Sequence, residues 1–578
     1  MHKGETDMVD KILYNGKIYT ENRNMPWAEA VAIEGKNISF VGTDSEALKL
    51  KEQDTELVDL GGRTVIPGLI DGHTHPDSIA ETAWYIRGPL TMDKDELMLN
   101  IKKAAEEYPK EVKPYFYYES YFTTTFGEQG PRKEELDEII SDRPARIQDF
   151  GDHACWYNSI ALDMLKDENG VPQNSNGAGQ PEFVKDENGE YTGWAFEAMP
   201  EGDDGIYDAI GWRPDIVMND ETVTDFFDYL KQYGVTCLFD AFIFTEENIK
   251  YLSELDKRNK LGMYCDAAVL LEAPEELENA VETAKKWAAE YNTDRVRVNV
   301  IKYFIDGTNE LGDCLSTEPF HNDPTGTNYG KANATMEQMR DVMVRLNKEK
   351  LDFHVHTICD GAFRLMCDAV EEAQKICGDE WCIKVTLAHC ELIHPDDLAR
   401  PKKLGIYLDH TTHWAAGYFG EAAQTYLGVE RWNTMQCFRG AIDAGDKVGF
   451  SSDTYSYQEA SRANPLIGMQ TAMTRIDIWD AVRLPADKYP NGMKPPYDGC
   501  LTLEELIHGY TSVNAERMRL DDKMGSIEAG KLANMVVFDE DIFEYAKRTP
   551  EHFMDIDPYC TYFEGQKRCV VSKISKLR

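Results

Sequence analysis

The chain has 578 residues, 42% of them hydrophobic, 11% aromatic and 28% charged, an ordinary globular composition in a chain too long for one simple core. A formal net charge of −42 argues against nucleic-acid and anionic-membrane partners, because both repel a strongly acidic surface. No apolar run is long enough to span a bilayer, and the opening MHKGETDMVDKILYNGK lacks the apolar core of a signal peptide. The 13 cysteines follow no regular spacing, so reduced thiols and a cytoplasmic location are expected.

Residues 1–65 read as short strands and turns. KILYNGKIYT folds about Asn-Gly, AEAVAIEGKNISFVG about Glu-Gly-Lys-Asn, and TELVDLGGRTVIPG follows. The far end has the same style in GSIEAGKLANMVVFD and CTYFEGQKRCVV. Neither end can bury a core alone, so 1–65 and 520–578 are expected to form one small β-sandwich domain built from both termini.

Between them, apolar strand-like runs alternate with helical stretches such as PEELENAVETAKKWAAEY and MEQMRDVMVRLNKEK, the pattern of parallel strands joined by helices. The strands are TVIPGLIDGHTH, GVTCLFDAF, GMYCDAAVL, VRVNVIKYFIDG, LDFHVHTI, KVTLAHCEL, GIYLDHTTHW and KVGFSSDTY. That is the number a (β/α)₈ TIM barrel needs, here over 66–519, in an α/β chain. The count works only if about 76–219 is a long insertion after the first strand, placed where insertions cover the mouth of a barrel.

Polar residues fall at the strand ends. In an extended strand His73 and His75 point the same way, and two adjacent imidazoles suit a divalent metal. Lys302 lies near the end of the fourth strand, His356 closes the fifth, His389 the sixth, and Asp453 follows VGFSS on the eighth. A lone buried histidine is usually a packed one, and a lone lysine usually snorkels. Six such residues in register are hard to explain by chance.

VIPGLIDGHTHPD, VIKYFIDGTNE, FHVHTICDGA, TLAHCELI, GFSSDT and MGSIEAGKLANMVVFD together resemble the amidohydrolase superfamily. Within it the chain resembles amidohydrolase family 3, the YtcJ-like group that includes N-substituted formamide deformylase. GDHACWYNSIAL, GEYTGWAFEAM and NPLIGMQTAMTR resemble further landmarks of it, so the likeness spans nearly the whole chain.

The resemblance implies one or two divalent ions, zinc before others. His73 and His75 would hold the buried metal with Asp453, and His356 and His389 the exposed one. Lys302 would carry a CO₂-derived carbamate (N6-carboxylysine) bridging the two. Asp453 and Lys302 are the implied catalytic residues. A metal-activated hydroxide would attack an amide, N-formyl, N-acyl or cyclic amide carbonyl, with Asp453 moving the proton to the leaving nitrogen.

His354 shares a face with His356 and is expected to pack beside the metal ligands. His153, His410, His413 and Trp414 are candidate substrate contacts, and Trp84, Tyr85 and Tyr418 further aromatic ones. DHTTHW departs from the Gln-Pro sequence usual for the seventh strand in this branch. The expected partner is a small-molecule substrate, and the expected assembly a homodimer. Two readings stand behind the hydrolase: a deaminase of a heterocycle on the same barrel, and a non-catalytic binding protein.

Overall fold

The computed structural model describes residues 9–574 apart from 128, 152, 175–181, 199–201, 215, 417–421, 477 and 479–491. Its centre is a parallel sheet of eight strands in sequential order: β1 (Leu69–Thr74), β2 (Val235–Ile243), β3 (Tyr264–Leu270), β4 (Val296–Phe304), β5 (Asp352–Thr357), β6 (Val385–His389), β7 (Tyr407–Thr411) and β8 (Lys447–Ser451). Each strand expected from the sequence is present. The two ends of that order, β1 and β8, are joined by main-chain bonds. Asp453 N donates to His73 O over 2.7 Å, and His75 N donates to Thr454 O over 3.1 Å. The sheet is thereby a nearly closed barrel.

Alternation along the strands sorts two cores. Leu238, Ile301, Phe353, Val355, Leu387 and Leu408 face outward and pack on helices through residues such as Met339, Phe363 and Met366. Ile70, Cys237, Phe239, Ala268 and Val300 face inward and close the barrel floor with Ala515 and Met518. The helices are set by their own sequence. Met336–Glu349 starts in a capping box, in which Thr335 Oγ1 accepts from Gln338 N and Gln338 Oε1 accepts from Thr335 N. It stops at Lys350, whose φ of 60° ends the turn.

TVIPGLIDGHTH differs from its expected single strand. It is two strands in two sheets, Thr64–Pro67 and Leu69–Thr74, broken at Gly68. Thr64–Pro67 joins Met535–Phe538 and Lys17–Tyr19 in a six-stranded sheet made from both chain ends. A four-stranded sheet of Lys11–Tyr14, Ala30–Glu34, Asn37–Gly42 and Glu56–Asp59 shares an apolar layer with it, through Leu13, Ile33, Val65, Met535 and Val537.

Between β1 and β2 lies a third sheet outside the barrel, of six strands, running from Ile86–Arg87 to Tyr191–Phe196 in the chain. Its buried Arg146 bonds Asp203 (3.0 Å), Tyr157 (2.7 Å) and Gln148 (2.8 Å), so the ion is fully compensated. The turn between Ala145–Asp149 and Ala154–Tyr157 reaches the barrel mouth.

Gly68 is where the chain crosses from one sheet to the other against Thr236, and a Cβ there would strike the threonine side chain. Gly68→Ala should cost about 1–3 kcal/mol in urea unfolding. Thr236→Ala in the same chain should return part of that loss. Strict additivity of the two changes would mean that the close approach is not what requires glycine.

Candidate active site

The six strand-end residues surround one cavity of about 90 Å³. The Asp453 carboxylate sits among three imidazoles: Oδ1 is 3.4 Å from His73 Nε2 and 3.1 Å from His75 Nε2, and Oδ2 is 3.4 Å from His389 Nδ1. The His356 ring lies 4.7 Å from that of His389, with its Nε2 3.2 Å from Gly307 O. Lys302 Nζ is buried with no hydrogen-bond partner, 4.7 Å from the Phe304 ring.

Strand periodicity puts some of these residues there unaided. Ile301 and Tyr303 face outward, so Lys302 faces in; Phe353 and Val355 face outward, so His354 and His356 face in. His389 is different. Val385 and Leu387 point to the helices, and strict alternation would send His389 the same way. A φ of 71° turns it into the mouth instead, and Asp453 is turned by a φ of 43°. Left-handed backbone costs a non-glycine residue about 1–2 kcal/mol, a strain that clusters at functional sites.

Burial governs the charges. His73, His356 and His389 are driven well below the ordinary histidine pKa by burial first and neighbouring positive groups second, so they are neutral imidazoles. His75 is lowered for the same first reason, with Asp453 opposing. Burial takes Lys302 down to about 7 against the pull of Asp453 and Asp409. Neutral imidazoles beside a carboxylate are the donor set of a divalent metal. His73, His389 and Asp453 each offer an atom within 4.8 Å of the others, and His73 Nε2 and His389 Nδ1 make no hydrogen bond. The residues fit a metal.

Of the expected substrate contacts, His153 and Trp414 line the cavity and His410 and His413 are not among its walls. Outward-facing Leu408 puts His410 on the helix side, where its ring meets Phe438 at 4.7 Å and its Nδ1 bonds His389 O at 2.8 Å. His413 is buried, with Arg462 helping burial to keep it uncharged. Trp414 stacks on His389 at 5.2 Å and 19°. Trp84 and Tyr85 belong to the aromatic cluster of the third sheet with Tyr115 and Tyr117. Tyr418 lies outside the described residues.

His153 Nδ1 is 2.8 Å from Glu197 Oε1. Burial opposes a charge on this ring, yet Glu197, with Asp313 and Asp149 behind it, raises its pKa to about 10. Glu197, Glu391, Glu459 and Asp409 are further polar residues of the site to which the sequence pattern assigns no role. Glu391 and Glu459 stand in the cavity wall and hold protons up to about 8 and about 7, chiefly through burial. Asp409, on β7, lies below His73 on the barrel axis, and alternation from Leu408 is the signal that finds it.

The amidohydrolase family model matches residues 56–568. The chain belongs to the amidohydrolase family. N-substituted formamide deformylase of Arthrobacter pascens is 25% identical over 97% of this chain and 99% of its own. YtcJ of Bacillus subtilis is 25% identical over 92% and 94%. The structure titled an uncharacterized metal-dependent hydrolase from Pyrococcus furiosus shares the fold, with a TM-score of 0.63 at 23% identity over 92% of this chain and 99% of that one.

Lys302 makes a stability prediction for the metal-free, CO₂-free protein. Its folded pKa of about 7 lies below the ordinary 10.5, so between these values the unfolded chain holds a proton that the native lysine has released. Stability therefore rises with pH across that window, by up to about 1.4 kcal/mol per pH unit from this group. Lys302→Met should flatten the rise in denaturant titrations at about pH 8 and 9.5. Equal slopes in the two proteins would place the titration elsewhere.

Proposed function

We propose that this chain is a metal-dependent hydrolase of carbon–nitrogen bonds other than peptide bonds, acting on an amide, N-formyl, N-acyl or cyclic amide group of a small molecule. The observation that carries the reading is Asp453 set within 3.4 Å of three neutral imidazoles, those of His73, His75 and His389, at the mouth of an amidohydrolase-family barrel. The relatives named for formamide deformylation and metal-dependent hydrolysis support it.

His73, His75, His356, His389 and Asp453 would hold one or two divalent ions, zinc suiting imidazole and carboxylate best. When bound, such an ion supplies Lewis acidity and brings the pKa of a water toward about 7. Lys302 would join the set after reaction with CO₂. Its free amine forms an N–C bond and releases one proton, leaving a carbamate anion where an ammonium could not ligate. Burial of Lys302 to a pKa of about 7 keeps that free amine populated at neutral pH.

Asp453 accepts the proton of the attacking water and delivers it to the leaving nitrogen. The cavity suits a small substrate, with Phe150, Phe242, Phe304 and Trp414 as apolar wall. His153, held through Nδ1 by Glu197, lines the cavity and would bind the substrate's oxygen. In this reading 1–65 and 520–578 form the small β domain, 66–519 the catalytic barrel, and 76–219 the cap. The protein works in the cytoplasm.

Two measurements test the reading. Turnover should be found within a panel of N-formyl, N-acyl and lactam compounds, and His73→Ala should lose bound metal and activity together. Full metal content with normal turnover in His73→Ala would remove His73 from the site. In Asp453→Asn, kcat should fall by at least about 10²-fold while substrate binding survives, since the amide keeps the shape but cannot accept the proton. Parental turnover in that variant, with metal retained, would move the proton transfer to another group.

A further inference from the structure

A second polar group lies beneath the proposed metal ligands, on the barrel floor. Arg517, from the helix Asn514–Arg517, enters the barrel and donates to Gly72 O, and its Nη2 lies 3.3 Å from Asp409 Oδ1. Asn514 anchors this helix by donating to Ile70 O and Phe450 O, and its Oδ1 accepts from Arg517 Nε at 2.9 Å. Gly72 makes the room: a Cβ there would occupy the space taken by Arg517 and Asp409.

Above this floor stands His73. Its Nδ1 lies 3.0 Å from His354 Nε2 and 3.5 Å from Asp409 Oδ2, while its Nε2 faces Asp453. A neutral imidazole carries one proton, on one nitrogen or the other. The 3.0 Å contact between the rings can therefore run in two directions. If His354 donates, His73 Nδ1 accepts, its proton sits on Nε2, and that nitrogen has no lone pair for a metal. If His73 donates from Nδ1, Nε2 is open. Arg517 Nη1, 3.5 Å from His354 Nδ1, favours the first arrangement, and the Asp409 carboxylate beside His73 Nδ1 favours the second. Asp409 Oδ2 has no other hydrogen-bond partner, which leaves it for that proton.

We propose that Asp409 is a positioning residue for His73: clamped by Arg517, it holds the His73 proton on Nδ1 and so presents Nε2 to the metal, with His354 a competitor for the same nitrogen rather than a ligand. This rests on the metal-dependent reading above. His354 points inward from β5 but is not among the residues that line the cavity.

The test is zinc affinity, read by competition with a chromophoric chelator, alongside thermal melting of the metal-free proteins. Partners of this kind typically change metal affinity 10–100-fold. Asp409→Asn should therefore bind zinc about 10–100-fold more weakly than the parent. Adding His354→Phe, which keeps a ring against Phe239, should recover much of that loss, a rescue that general destabilisation would not produce. Alone, His354→Phe should bind zinc as tightly as the parent or tighter. This single variant decides the matter if Asp409→Asn does not fold. Parental affinity in Asp409→Asn overturns the proposal. So does a large loss in His354→Phe, which would make His354 a ligand, and so does a double variant as weak as Asp409→Asn. A parental protein that binds no divalent ion overturns the metal reading itself, and this inference with it.

Discussion

The structure depends on the closure between β1 and β8. Ser452, 381 positions from Asp71 in the chain, donates to it from both its main-chain nitrogen and its hydroxyl, at 2.9 and 2.6 Å. Two further main-chain bonds tie His73 to Asp453 and His75 to Thr454. The same bonds that finish the barrel therefore bring the carboxylate to the histidines. Burial raises Asp71 to about 7 in spite of its bonds from Ser452, so this closure is held by a group near its titration point at neutral pH. Fold and site are one interaction here, since the ligand-type atoms cannot gather until the last strand meets the first.

That closure creates an electrostatic difficulty: a tube of apolar walls must hold several polar side chains without water. The chain meets it by keeping most of them neutral. Burial strips the proton from His73, His354, His356 and His389 and weakens the hold of Lys302 on its own. Ions persist where they are paired: on the floor Arg517 stands with Asp409 and Arg297 with Asp266, and there Arg517 also bonds Asn514 and Gly72. A neutral set of imidazoles around the Asp453 carboxylate is poised for a cation. The formal charge of −42 over the whole chain points the same way, although most of it lies on solvent-facing residues.

Much of this was legible before folding. Eight apolar runs alternating with amphipathic helices fix a parallel barrel, and the position of a residue on its strand tells which core it enters. Lys302 and His356 follow from that rule alone. The rule fails in informative places. His389 and Asp453 face the cavity because their φ angles are 71° and 43°, and no periodicity contains that. His410 attracted attention by its chemistry, yet Leu408 beside it already assigned it to the helix layer and assigned Asp409 to the axis. Glu197 sits in a motif that carries no role in the sequence, because it meets His153 just past the paired ends of two strands, Ala154–Tyr157 and Tyr191–Phe196, and pairing across a sheet cannot be read from one strand.

The distribution of strain completes the argument. Residues carried by regular strand geometry, such as Lys302 and His356, can be placed by packing alone. The two that need left-handed backbone, His389 and Asp453, are brought within 3.4 Å of one another from different strand ends. Each is tied by main-chain bonds that oppose relaxation: Cys390 N donates to Thr357 O at 2.8 Å behind His389, and Asp453 N donates to His73 O at 2.7 Å. Strain of this kind persists only where the surroundings over-determine it. The barrel thus uses its most regular feature, the hydrogen-bonding of neighbouring strand ends, to hold its least regular residues in place. A site made this way is set before any ligand arrives, as stabilisation of developing charge by fixed groups requires.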